Sequence, residues 1–93
     1  MFALSFDMSI SDLKNHYGKP YIRAYFEIKL LLEEYGFEWI QGSTYITQSD
    51  DLGTLYKAIT ALSKLDWFAK SVRDMRGFKV ENWSNFTDIV KSR

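Results

Sequence analysis

Phe2, Leu4, Phe6 and Met8 alternate with Ala3, Ser5 and Asp7 at the start of the chain. An apolar period of two predicts a strand with one heavily apolar face; the opposite face is small and then acidic. Ser11–Tyr17 predicts a short helical turn ending at Gly18. Pro20 suits the first turn of a new helix, where its missing N–H costs nothing. Tyr21, Ala24, Tyr25, Ile28, Leu31, Leu32 and Tyr35 then recur at spacings of three and four, the stripe of an amphipathic helix. Gly36 closes that helix, because glycine tolerates the left-handed conformation that commonly ends one.

Phe37–Gln41 and Ser43–Thr47 predict two further strands, with Gly42 between them as a tight hairpin requires. Ser49, Asp50 and Asp51 supply a cap and first-turn acids for a second long helix. Its expected buried stripe is Leu52, Leu55, Tyr56, Ile59, Leu62 and Leu65. Asp66–Lys70 continues as a turn or short helix, and Val72–Val80 predicts the fourth strand, where Gly77 marks a bulge or a close contact. Ser84–Val90 predicts a closing helix with Ser84 or Asn85 as its cap.

Strand, helix, strand, strand, helix, strand is the split βαβ order. The fold class that follows is α+β: a ferredoxin-like βαββαβ sandwich with helices on one face of an antiparallel four-stranded sheet, plus a short C-terminal helix. No linker, repeat or low-complexity stretch interrupts it, so residues 1–93 read as one domain.

Composition narrows the function classes. The chain has no cysteine, which excludes disulfides and thiolate metal sites. No run approaches the roughly 18 apolar residues a spanning helix needs, and Asp7 breaks the apolar start at once. A soluble, cytoplasmic protein without a membrane partner is the expectation. Aromatic residues make up 17% of the chain, more than so small a core needs, which suggests that some rings serve a partner surface. A homodimer is the simplest such partner.

Twelve basic and twelve acidic residues give zero formal charge, which argues against gripping nucleic acid by charge alone. The distribution is uneven: residues 1–50 carry four Lys/Arg and seven Asp/Glu, and residues 51–93 carry eight and five. Lys64, Lys70, Arg73, Arg76 and Lys79 form either a basic strip or an ordinary solvated face, with Asp66 and Asp74 among them.

Asp7 is the leading candidate for chemistry. It ends the first strand on the face opposite Phe2, Leu4 and Phe6, beside the small Ala3 and Ser5 that leave room for a partner. A lone acid at a strand end is as often merely solvated. Two copies facing across a dimer axis, about 4 Å apart at an effective dielectric near 20, would repel by about 4 kcal/mol. A divalent cation of the magnesium kind, or a shared proton, relieves that repulsion, and such a metal polarises a phosphodiester. Ser43 shares strand parity with Tyr45 and Thr47 and could contact a phosphate, although a turn serine more often bonds its own backbone. Asp74 lies between Arg73 and Arg76, a cluster suited to an RNA backbone as well as to plain ion pairing. His16, the sole histidine, sits in a connector and reads as solvent-exposed. Trp39, Trp67 and Trp83 read first as packing residues, with base stacking the less favoured use. There is neither a glycine-rich phosphate loop nor a nucleophile elbow.

Three stretches, in order, carry a resemblance: Phe2–Asp7; Gly36–Trp39 with Gln41–Tyr45; and Trp67–Val80. They resemble the virulence-associated protein D family, and the likeness runs nearly end to end, through Glu81 and Phe86–Val90. That resemblance implies a dimeric bacterial endoribonuclease with a ferredoxin-like fold similar to the small CRISPR-associated nucleases. It also implies a toxin of a toxin–antitoxin pair, with a small antitoxin protein as partner. The family's strand-end aspartate matches Asp7, the serine after its Gln-Gly pair matches Ser43, and the acid of its Arg-Asp-x-Arg segment matches Asp74. Leu13 matches a position in the first connector that the family uses near its site. The expected activity is cleavage of RNA with Asp7 of each protomer holding a divalent cation at the dimer seam, Ser43 positioning the phosphate, and Arg73 and Arg76 attracting the strand. The competing expectation is a non-catalytic dimeric module that binds RNA or protein; a small-molecule sensor ranks last.

Overall fold

A computed structural model describes residues 1–93. Nine elements follow in order: β1 (Phe2–Met8), α1 (Ile10–His16), α2 (Ile22–Glu34), β2 (Glu38–Gln41), β3 (Thr44–Thr47), α3 (Leu52–Ser63), α4 (Asp66–Ser71), β4 (Val72–Lys79) and α5 (Thr87–Lys91). The strands form one sheet in the order β2-β3-β1-β4, antiparallel throughout. This is the ferredoxin-like arrangement, with α1 and α4 as additions to the two crossover helices.

Local chemistry sets several of the helix boundaries. The Ser9 hydroxyl accepts from the Asp12 N–H and caps α1, and the Asp51 carboxylate accepts from the Gly53 N–H and caps α3. At the end of α2 the Phe37 N–H donates to the Leu32 carbonyl, and Gly36 takes the left-handed conformation (φ 82°) that this closure requires. Asn85 accepts from the Thr87 N–H at 2.9 Å, so Asn85 rather than Ser84 serves the start of α5, which begins at Thr87.

The core lies between the sheet and the helices. Leu4, Phe6 and Met8 of β1 meet Ala24, Ile28 and Leu32 of α2 and Leu55, Ala58 and Leu62 of α3. The stripe of α3 therefore differs from expectation: Leu52 and Tyr56 are 62% and 73% exposed. Each residue turns a helix by about 100°, so a face centred on Leu55, Ala58 and Leu62 carries Tyr56 round to solvent. Gly77 explains the close seat of that helix. It pairs in unbroken register with Leu4, and a Cβ there would lie 2.9 Å from Leu55 Cδ2. Gly77 is thus a close contact and not a bulge. No helix is long and apolar enough to cross a membrane.

Candidate active site

Burial of Leu4, Phe6 and Met8 sends the intervening Ser5 and Asp7 to the other face of the sheet. β4 runs antiparallel beside β1, with Asp74 directly opposite Asp7 and Arg76 opposite Ser5. The register then slips: Asp7 pairs with Asp74 but Met8 pairs with Val72, which leaves Arg73 as an extra, unpaired residue. Such a bulge bends its strand and re-aims the side chains around it. Here it brings Arg73 Nε to 3.9 Å from Asp7 Oδ2. Three residues on, Arg76 Nε donates to both carboxylate oxygens of Asp74, at 3.2 and 3.0 Å.

Directly opposed carboxylates repel, since cross-strand Cβ atoms stand roughly 4.5–5.5 Å apart. The two arginines offset that repulsion, and Arg76 holds its proton more firmly than usual because of its hydrogen bond to Asp74 and then that residue's charge. All four side chains are exposed, from 48% for Asp74 to 74% for Arg76, so solvent screening keeps each pair weak. An array this open can exchange its internal partners for a polyanion or a cation. By donor chemistry Asp7 and Asp74 suit a hard divalent cation, which is commonly held by one or two carboxylates while keeping several waters. Arg76 occupies Asp74, so Asp7 is the less engaged donor; one chain brings together no group of three or more metal-ligating side chains.

Ser43 follows the hairpin glycine Gly42 (φ 48°), and its carbonyl accepts from the Phe6 N–H at 3.2 Å. It therefore lies abreast of Phe6, at the same end of the sheet as Asp7. Its side chain shares the helix side with Tyr45, however, and lines a cavity there with Tyr25 and Phe26 of α2. Asp7 faces the other way, so one chain does not bring the Ser43 hydroxyl and the Asp7 carboxylate onto a common face. Thr44, absent from the expected set, takes that place: its hydroxyl donates to Ser5 Oγ at 3.4 Å, two residues back along β1 from Asp7 and on the same face. Strand alternation from Tyr45 was the signal that could have separated Ser43 from Thr44. Burial raises the Tyr25 pKa above its usual value, with Tyr21 and then the Asp7 carboxylate adding to the effect.

Leu13 requires correction as an RNA contact. It is wholly buried in the core, so any influence on the site passes through the packing of α1. His16 ends α1, exposed. The basic strip is partly internal pairing, with Lys70 bound to Asp66 at 3.1 Å and Arg76 to Asp74. Trp67 packs edge-on against Tyr17, ring centres 4.9 Å apart, as a packing residue should. Trp39 and Trp83 are instead 49% and 43% exposed.

No protein-family model matches the sequence. Individual relatives do. The chain is 57% identical over 91 residues to an endoribonuclease VapD of Dichelobacter nodosus, covering 98% of each protein. It is 54% identical over 94 residues to an endoribonuclease VapD of Helicobacter pylori, covering 99% of this chain and 100% of the relative. A more distant endoribonuclease VapD, from Haemophilus influenzae, is 38% identical over 92 residues, again across 99% and 100% of the two chains. Likeness of this strength from end to end means that the chain belongs to the endoribonuclease VapD family.

Proposed function

We propose that this chain is an endoribonuclease, the toxin of a toxin–antitoxin pair, acting as a homodimer with Asp7 of each protomer at the seam. One arrangement carries the reading: Asp7 and Asp74 face each other at an exposed sheet end, each with an arginine beside it. Relatives of the chain bear the name endoribonuclease at 38% to 57% identity. Arg73 and Arg76 attract the RNA backbone and exchange their carboxylate partners for phosphate oxygens. Asp7, freed from Arg73, then provides the negative oxygen that accepts the proton of the attacking hydroxyl or water, while the scissile P–O bond breaks and the departing ribose oxygen takes a proton from solvent water. A divalent cation of the magnesium kind, shared by Asp7 and its symmetry mate, would add positive charge at the phosphodiester. Ser43, on the adjoining side of the sheet end, contacts a neighbouring phosphate.

Dimerisation is supported by apolar surface outside the acidic centre. The C-terminal segment exposes Trp83, Phe86, Ile89 and Val90, at 43% to 69%, beyond what a solvated tail needs. A small antitoxin protein that covers the sheet end would silence the same centre.

The decisive experiment incubates a defined RNA with wild type and Asp7→Asn, with magnesium or with EDTA. Metal-dependent products that vanish in the variant support the reading; products that persist in Asp7→Asn, from nuclease-free preparations, remove Asp7 from the chemistry. Zero net charge favours a second reading, a binding module without cleavage. Intact RNA under every condition would select it.

A further inference from the structure

On the helix side of the same sheet end, a cavity of about 450 Å³ opens between α2 and the β2–β3 hairpin. Its floor is the stacked pair Phe6 and Tyr45, ring centres 6.2 Å apart and inclined by 12°. Its rim is Phe26 and Trp39, which are 61% and 49% exposed. Two large rings left in water beside a concave, ring-floored space are costly unless something covers them. The volume falls within the roughly 300–1,000 Å³ of small-molecule sites.

Trp39 is held in position there. Its Nε1–H donates to the Gly42 carbonyl at 2.7 Å, and the Lys29 ammonium stands 5.8 Å from the ring centre. An indole fixed by a hydrogen bond and a cation loses little further freedom when a flat ligand stacks on it. Lys29 and the Ser43 hydroxyl supply a positive charge and a polar contact at the cavity wall. Aromatic faces with a nearby cation suit a nucleotide: a flat base and an anionic phosphate.

The cavity adjoins the acidic centre. Phe6, in its floor, is bonded through its N–H to Ser43 and is followed at once by Asp7, about 3.3 Å further along the strand. We infer that this cavity is a base-binding subsite that takes one unstacked nucleobase of single-stranded RNA against Trp39 and Phe26. The attached phosphate then rounds the sheet end toward Asp7 and Arg73. This rests on the endoribonuclease reading and adds to it which residues select the cleaved position.

The test measures binding of the four nucleoside 5′-monophosphates and maps cleavage positions on a defined RNA. It compares wild type with Trp39→Ala, Phe26→Ser and the remote exposed control Tyr56→Ala. Phe26→Ser alters a solvent-facing helix position, which keeps the result independent of hairpin stability. Monophosphate affinity is expected to fall roughly tenfold or more in the two cavity variants, the scale of one lost base stack, and to hold in Tyr56→Ala. Cleavage positions shift with it. Wild-type cleavage whose positions and monophosphate affinity are unaltered by both cavity variants overturns the subsite while sparing the nuclease. Trp39-dependent monophosphate binding without RNA cleavage keeps the subsite and removes the nuclease reading. Loss of dimer in Trp39→Ala with unchanged monophosphate binding makes the rings a protein interface and overturns the proposal.

Discussion

Asp7 and Asp74 stand directly opposite one another across the β1–β4 ladder, on the face of the sheet turned away from α2 and α3. A like-charged pair in that position weakens the sheet unless cations attend it. Arg76 grips Asp74 with two hydrogen bonds, and Arg73 approaches Asp7 only to 3.9 Å. The inequality matters: one carboxylate is committed and the other is available.

Asp7→Asn should therefore abolish RNA cleavage with the fold intact. The side chain is 67% exposed and its loss relieves repulsion, so unfolding free energy should stay within about 0.5 kcal/mol of wild type or rise slightly. Cleavage assays paired with denaturant unfolding check both halves. A large loss of stability would mean that Asp7 is structural.

Arg73→Ala and Arg76→Ala should weaken RNA binding and its salt dependence together. Each phosphate contact to a single strand contributes about 0.7 to the slope of log affinity against log salt. Binding isotherms over a range of salt should show each variant losing about that much. An unchanged slope would confine both arginines to their carboxylates.

Leu13→Ala separates packing from contact. A wholly buried leucine cut to alanine should cost about 2–5 kcal/mol in stability. Cleavage per folded molecule, measured well below the melting temperature, should be nearly unchanged. Normal stability with lost cleavage would restore Leu13 to the site.

Alkaline pH should destabilise the fold. Burial raises the pKa of Tyr45 and Tyr25 above 10.0, so the folded chain keeps two protons that the unfolded chain has begun to release. Stability from these groups is whole below pH 10 and is lost as pH rises through their folded values. Tyr45→Phe should flatten that decline in melts recorded across the alkaline range.

The order of strands and helices along the chain was legible in the sequence, and so was the direction of Asp7, because a period of two leaves no freedom once Leu4, Phe6 and Met8 are buried. The stripe of α3 was less so, since Leu52, Leu55 and Tyr56 satisfy spacings of three and four about equally until a partner surface selects among them. Leu13 looked functional only by resemblance; its burial depends on α4 and the sheet. The bulge at Arg73 was hidden because it is a property of the pairing with β1, which β4 alone does not encode. The aromatic cavity was hidden for a related reason: Phe6, Phe26, Trp39 and Tyr45 come from four separate elements.

The single surplus residue at Arg73 also lets two incompatible demands coexist. Val72 and Met75, three apart, both pack against the core, which an even zigzag forbids. A chain shortened by one residue here would have to choose between anchoring the end of α4 and displaying Asp74. The number of residues in this stretch is therefore as strict a requirement of the site as the identity of Asp74.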